Sequence, residues 1–132
     1  MAALDTNVLV RFLVQDDMAQ GEAAARLIRD GVLAGSPVFV PVTVLLELEW
    51  VLRSAFGFQK ASVLQALFRL LGSFELNFES EAAVEIAVAQ YARTAADFVD
   101  CLHIALAGQA GEPPLWTFDK ATAKLDGAKR LA

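Results

Sequence analysis

The sequence has few of the residues on which many catalytic and metal sites depend. Its 132 residues include one cysteine, Cys101, and one histidine, His103. A lone cysteine cannot form an internal disulfide, and these two residues cannot complete a zinc site of cysteine and histidine ligands. Any nucleophile and base pair would depend on His103 alone, which argues against covalent catalysis. The scarcity of thiols favours a reducing, cytoplasmic setting.

Long apolar runs and an excess of basic charge are also missing. No apolar run approaches the ~20 residues of a membrane span, and no basic segment precedes an apolar one at the start, so neither a span nor an export signal is predicted. The 11 Lys and Arg residues against 16 Asp and Glu residues give a net charge of −5. This charge argues against a protein that holds nucleic acid by its overall charge. Glycine-rich nucleotide-binding motifs are absent.

Apolar residues are plentiful, at 56%, and their spacing predicts one globular domain over residues 1–132. Helical spacing predicts helices after residue 5 and at about 18–33, 43–56, 61–71, 81–93, 97–110 and 121–125, with Ser80 as an N-cap. Short apolar runs predict strands at 2–4, 38–40, 74–78 and 115–118, before a basic tail. This alternation predicts an α/β fold with a parallel sheet covered by helices on both faces.

Acidic residues follow the first and last predicted strands. Asp5 and Asp119 each end a strand and precede a helix, so parallel strands would place them at the same edge of the sheet. Each is equally well explained as a helix N-cap. Asp97 shares this explanation, because Asp97-Phe-Val-Asp100 is similar to a capping arrangement. Whether Asp97 is a cap or a metal ligand stays open at this point.

Two further acids lie inside apolar helical segments. Glu47 and Asp100 are flanked by apolar residues, where an unpaired carboxylate is costly to bury, whereas Glu49 is expected to face solvent. A cationic partner is therefore expected for Glu47. Several carboxylates that converge without a cation would repel one another, so convergence predicts a bound metal. Oxygen ligands favour Mg²⁺ or Mn²⁺ over zinc, and the favoured chemistry is metal-assisted hydrolysis.

Four motifs in this order resemble the PIN-domain family, and within it the VapC-type toxins of toxin–antitoxin pairs. They are Leu4-Asp-Thr-Asn-Val-Leu-Val-Arg11, Thr43-Val-Leu-Leu-Glu-Leu-Glu-Trp-Val-Leu-Arg53, Ala96-Asp-Phe-Val-Asp-Cys-Leu-His103 and Trp116-Thr-Phe-Asp119. The resemblance implies a three-layer α/β/α sandwich with a central, mostly parallel sheet. It also implies a Mg²⁺- or Mn²⁺-dependent endoribonuclease that hydrolyses RNA phosphodiesters with water activated by one or two metal ions.

The resemblance implies a role for particular acids as well. Asp5, Glu47, Asp100 and Asp119 match the catalytic, metal-binding quartet of the family, and Asp97 matches a further acid often found beside it. Asn7 and Thr117 match small polar positions that orient the carboxylates. The implied partners are the RNA substrate, an antitoxin protein and a second copy of the chain.

An RNA-binding surface must be local, given the net charge. The candidates are Arg11, Lys120 and Lys124, with Lys129 and Arg130 nearby, although an ordinary solvated basic surface would explain them too. No aromatic interleaving that would mark a stacking surface is recognised, and Trp50, Trp116 and His103 are expected to pack in the core. A mean hydropathy of +0.46 favours a surface covered by a partner, such as a homodimer interface.

Three other functions remain to be weighed against the ribonuclease. The main alternative is a catalytically silent PIN-like module that binds RNA or protein. A phosphatase of the Asp-x-Asp type is disfavoured, because Asp5-Thr-Asn7 lacks the second aspartate that would act as acid and base. A structure-directed DNA nuclease stays open, although the long helical insertions usual in such enzymes have no room in 132 residues.

Overall fold

The computed structural model of the protein describes residues 2–132. They form two compact units, the first ending at Glu79 and the second beginning at Ser80. Each unit combines helices with a pair of parallel strands, which confirms the predicted α/β class. Within the described residues, no helix has the length and apolar character that a membrane span requires.

The first unit, as described from residue 2 onward, contains four helices and two strands. They are α1 (Thr6–Val14), α2 (Met18–Leu33), β1 (Val38–Val40), α3 (Val42–Ser54), α4 (Lys60–Leu71) and β2 (Leu76–Phe78). Strand β1 pairs in parallel with β2, with Val38 opposite Leu76. The predicted strand at 2–4 is a single parallel bridge from Ala3 to Phe39, flanked by a bond of 2.9 Å from the Leu4 N–H to the Phe39 carbonyl.

Helix α2 shows how local signals set the limits of an element. It begins where predicted, because the Asp17 side chain accepts a hydrogen bond of 2.9 Å from the backbone N–H of Gln20 and so caps the first turn. Near its end, a Cβ on Gly31 would lie 2.9 Å from the carbonyl oxygen of Ser36. The absence of a side chain at Gly31 thus lets the turn before β1 approach the helix closely.

Helix α3 corrects three predictions about which side chains are buried. Its buried residues are Leu45, Leu48, Glu49 and Leu52, which recur at intervals of three and four residues. Glu49 lies on this stripe and is 2% exposed, so the expectation that it faces solvent is wrong. Glu47 lies off the stripe and is exposed. Trp50 also lies off the stripe and is 58% exposed, so it is not a core residue.

The second unit is built around a helical pair and a second pair of strands. Its elements are α5 (Glu81–Arg93), α6 (Phe98–Gln109), β3 (Leu115–Thr117), α7 (Lys120–Ala123) and β4 (Ala128–Arg130). Helices α5 and α6 pack together, with the rings of Tyr91 and Phe98 5.4 Å apart. Cys101 is fully buried, as expected of a small apolar residue, whereas His103 is exposed and does not pack in the core. Ser80 holds the predicted N-cap position with a left-handed backbone, and its side chain caps no described N–H group.

Strand β4 replaces part of the predicted basic tail. It pairs in parallel with β3, with Trp116 opposite Lys129, and Gly127 introduces it with a φ of 88°. The short run Ala128-Lys-Arg130 has no apolar periodicity, so the strand depends on pairing with β3 rather than on a local signal. Trp116 is 54% exposed on this pair of strands, which corrects its predicted place in the core.

Candidate functional site

Asp5 lies in the first unit, at the N-cap of α1. Its Oδ1 accepts a hydrogen bond of 2.6 Å from the backbone N–H of Thr6, so the capping explanation describes part of its role. Asp5 is exposed, and its second carboxylate oxygen lies outside this bond. One oxygen therefore holds the helix start while the other is available to a ligand.

Thr6 connects Asp5 to Glu47. Its hydroxyl donates a short hydrogen bond to Glu47 Oε1, 41 positions along the chain, while its N–H bonds to Asp5. Thr6 is 3% exposed, so this hydroxyl is directed by the packing of α1 against α3. Among the described residues, the partner of Glu47 is thus a hydroxyl, and the cation expected for it stays a prediction. Sequence reasoning missed Thr6. The available signal was a hydroxyl residue directly after Asp5, on the same buried side of α1 as Leu9 and Val10.

A different acid of α3 has the cationic partner. Glu49 is buried and forms a two-pronged ion pair with Arg53, one turn later, with 3.0 Å between Arg53 Nη2 and Glu49 Oε1. The Arg53 side chain is 42% exposed, so it neutralises the buried carboxylate while its guanidinium reaches solvent. This pair stabilises α3, the helix that carries Glu47.

Asp119 lies in the second unit, at the N-cap of α7. Its Oδ2 accepts two hydrogen bonds of 2.8 Å, from the backbone N–H and the hydroxyl of Thr122. These bonds, the backbone one first, hold the pKa of Asp119 below its ordinary value, because they favour the charged form. The hydroxyl of Thr117 accepts a bond of 3.0 Å from the Asp119 N–H. Asp119 is therefore ionised and locally oriented, with Oδ1 outside the capping bonds.

Asp97 and Asp100 begin α6. Asp97 holds the N-cap position with an extended backbone, yet its side chain makes no capping bond in the described part of the chain. Its backbone carbonyl accepts a bond of 3.2 Å from the N–H of Cys101. Asp97 is exposed and Asp100 is half-buried. The structure thus gives the Asp97 carboxylate no capping role.

The predicted basic residues differ in how firmly they are held. Arg11 is half-buried, bonded to Gln20 at 2.7 Å and paired with Asp16 at 3.2 Å. With Asn7 and Gln20 it lines a cavity of about 310 Å³ beside α1 and α2. Lys120 and Lys124 are exposed around α7. Arg11 is thus fixed by neighbours, whereas the two lysines project into solvent.

The site residues therefore belong to two sets, each described within its own unit. The first unit contributes Asp5 and Glu47, linked by Thr6, and the second contributes Asp100 and Asp119, with Asp97 at the start of α6. Over residues 2–132, no group of three or more His, Cys, Asp or Glu side chains is arranged to hold a metal ion. The donors that both sets offer are carboxylate oxygens, which suit hard divalent cations.

Comparison with known proteins extends across both units. The family model of the PIN domain matches residues 2–128. The VapC ribonuclease of Aquifex aeolicus (strain VF5) is 25% identical over 125 residues, which cover 95% of this chain and 92% of that protein. The comparison with solved structures found no match. All the acids described above lie within the range that the family model matches.

Proposed function

Since the chain belongs to the PIN-domain family, we propose that it is a divalent-metal-dependent endoribonuclease and the toxin of a type II toxin–antitoxin pair. The observation that carries this proposal is the family match over residues 2–128, a range that includes Asp5, Glu47, Asp100 and Asp119. The similarity to a VapC ribonuclease over 95% of the chain supports RNA as the substrate.

The chemistry of the donors fits Mg²⁺ or Mn²⁺. Asp5 and Glu47 are exposed, and each keeps a carboxylate oxygen outside the bonds to Thr6. The hydrogen bonds that lower the pKa of Asp119 favour its charged form, which is the form that a metal requires. Oxygen donors of this kind select hard divalent cations. We propose that Asp5, Glu47, Asp100 and Asp119 hold one or two such ions, with Asp97 as an additional acid.

In the proposed mechanism, the chain's own residues hold the acids in place. The chemistry that a divalent ion held by these acids would supply is activation of a water for attack and stabilisation of the charge that develops on the phosphate. Thr6 fixes the orientation of Asp5 and Glu47, while Thr122 and Thr117 fix Asp119. Asn7 is proposed as a further small polar group beside Asp5. Holding the ligands in advance avoids reorganisation during the reaction.

The proposed partners follow from the same family membership. Arg11, Lys120 and Lys124 are proposed to bind phosphates of the RNA, which would compensate locally for the net charge of −5. A homodimer and a complex with an antitoxin protein are proposed as well. Cys101 is buried and is the single cysteine of the sequence, which suits the reducing cytoplasm in which such a pair would act.

The test is cleavage of RNA by the purified chain. Structured and single-stranded RNAs are incubated with Mg²⁺, Mn²⁺ or a chelator, with the wild type and the Asp5→Asn and Asp100→Asn variants. Asp30→Asn is the matched control, because it removes an exposed carboxylate from α2, outside the proposed site. We expect the wild type and Asp30→Asn to cleave only with metal, and the two site variants to lose cleavage.

Two outcomes would contradict the proposal. Cleavage that persists in the chelator would exclude a metal-dependent reaction. RNA binding without cleavage of any RNA would favour the silent PIN-like binding module. Circular dichroism of each variant checks that the fold is retained.

A further inference from the structure

The strand pair β3–β4 presents a row of exposed apolar and cationic side chains. Trp116, Phe118 and Leu131 are 54%, 69% and 57% exposed, and Lys129 is exposed beside Trp116. Trp116 and Lys129 are opposite each other in β3 and β4, so their side chains lie on the same side of the strand pair, and Phe118 and Leu131 directly follow the two strands. A bond of 2.8 Å from the Leu131 N–H to the Thr117 carbonyl continues the pairing beyond β4. We refer to these four side chains as the Trp116 face.

The Trp116 face joins an aromatic surface to positive charge. The Nζ atom of Lys129 lies 5.6 Å from the centroid of the Trp116 ring, a cation–π contact that leaves half of Trp116 exposed. Residues 115–132 carry four basic and two acidic side chains, whereas residues 1–114 carry seven and fourteen. Positive charge is thus concentrated in the segment that carries the exposed aromatic rings.

We propose that the Trp116 face binds an unpaired base of single-stranded RNA by stacking, while Lys129 binds an adjacent phosphate. This inference rests on the proposed ribonuclease function and assigns it a substrate-binding surface. Aromatic rings beside Lys or Arg are how proteins bind single strands without sequence preference, since every base has a flat apolar face.

Charge and position favour RNA over a protein partner on this face. An apolar protein surface that covered this face would have to desolvate the Lys129 charge at a cost, whereas a nucleic acid brings a phosphate to each base. Asp119 also lies close to the Trp116 face, because it is three positions after Trp116 and three residues span at most about 10 Å. A base stacked on Trp116 would therefore bring its strand beside a proposed metal ligand.

The test measures binding in a chelator, so that cleavage plays no part. The chain has two tryptophans, and Trp50→Phe leaves Trp116 as the fluorescent reporter. A short oligoadenylate is titrated into this variant, and an abasic strand of the same length is the matched ligand without stacking. We expect the oligoadenylate, and not the abasic strand, to quench Trp116.

Affinity is then compared between variants. Trp116→Ala is expected to raise the Kd for oligoadenylate about tenfold and to leave that for the abasic strand unchanged. Trp116→Phe is expected to retain most of the affinity. Trp50→Ala is the matched control, because Trp50 is exposed to a similar extent, 58%, on α3, and it should bind like the wild type.

Several results would overturn the inference. The first is that Trp116→Ala binds oligoadenylate as tightly as the wild type does. The second is that this variant loses as much affinity for the abasic strand as for oligoadenylate. The third is that Trp116→Ala changes only the oligomeric state, measured by light scattering. The last result would assign the face to a second copy of the chain. The cleavage assay tests the proposed function independently of this binding test. Stacking without cleavage would retain this inference and reject the nuclease. Cleavage without stacking would retain the nuclease and reject this inference.

Discussion

The two units hold their candidate acids in different ways. In the first unit, Thr6 reaches Glu47 across 41 positions of the chain, so the orientation of this acid depends on the packing of α1 against α3. In the second unit, Asp119 is held by Thr122, three positions away, within one turn. The comparison shows that one acid depends on tertiary packing and the other on a local cap. Substitutions at the two threonines should therefore differ in effect.

The largest effect is expected from Thr6→Val. Valine keeps the buried volume but removes the hydroxyl that orients Glu47, so we expect RNA cleavage to fall about 10- to 100-fold, as for partners that orient metal ligands. Initial rates measured at several Mg²⁺ concentrations would show whether metal affinity falls as well.

Thr6→Ser is the matched control for that prediction, because it restores the hydroxyl and should recover most of the rate. The double variant Thr6→Val/Glu47→Gln should be no worse than Glu47→Gln alone, since both changes remove one interaction. Independent, multiplying losses would show that the bond from Thr6 does not act through Glu47.

A stability effect of the first unit comes next. Arg53→Met removes the ion pair of Glu49, whose side chain is 3% exposed, and we expect the free energy of unfolding to fall by about 2 kcal/mol. This value is smaller than the cost of breaking a fully buried ion pair, because the Arg53 side chain is partly exposed to solvent. Urea unfolding measures it, with Arg29→Met as the control on exposed α2 surface.

The double variant Glu49→Leu/Arg53→Met sharpens this prediction. It replaces both charges by apolar groups, so it should be more stable than Arg53→Met alone. A double variant as unstable as the single one would show that the ion pair is not what Arg53 contributes.

The same helix shows what the sequence could predict and what it could not. Apolar spacing predicted that α3 is a helix, because a helical period requires only one chain segment. The spacing did not decide which of Glu47 and Glu49 is buried, since both are flanked by leucines and the choice depends on which stripe meets the core. The limits of α2 and α5 were predictable because helical spacing, like that of α3, is a property of one chain segment.

The candidate site was predictable in its residue types and less so in its contacts. The motifs identified Asp5, Glu47 and Asp119 as acids of interest, and their roles as metal ligands stay predictions. The bond from Thr6 to Glu47 was not predictable, because it joins residues far apart in sequence. Strand β4 and the exposure of Trp116 were missed for a similar reason: pairing with β3 creates both.

A smaller effect on stability is expected to distinguish the start of α2, in the first unit, from the start of α6, in the second. Asp17→Ala removes the cap of α2, and we expect the free energy of unfolding to fall by about 1 kcal/mol. Asp97→Ala should leave it within about 0.5 kcal/mol of the wild type, because the side chain makes no capping bond among the described residues of α6. Thermal and urea unfolding measure both.

The Asp97 variant also addresses its open role. With stability unchanged, weaker Mg²⁺ binding, measured by calorimetry, would support Asp97 as a ligand or a near neighbour of one. Equal losses of stability in the two variants would contradict the difference in capping.

The smallest effect is expected from Thr122→Val, and it completes the comparison of the two units. This change removes the hydroxyl bond to Asp119 Oδ2 but leaves the bond of 2.8 Å from the Thr122 backbone N–H, so the carboxylate keeps most of its orientation. We expect cleavage to fall about threefold, less than for Thr6→Val, since the remaining cap bond is the stronger influence on Asp119. The two variants are compared in the same assay at saturating Mg²⁺. A loss at Thr122 as large as that at Thr6 would mean that a local cap constrains its acid no better than a tertiary hydrogen bond, against the distinction drawn between the units.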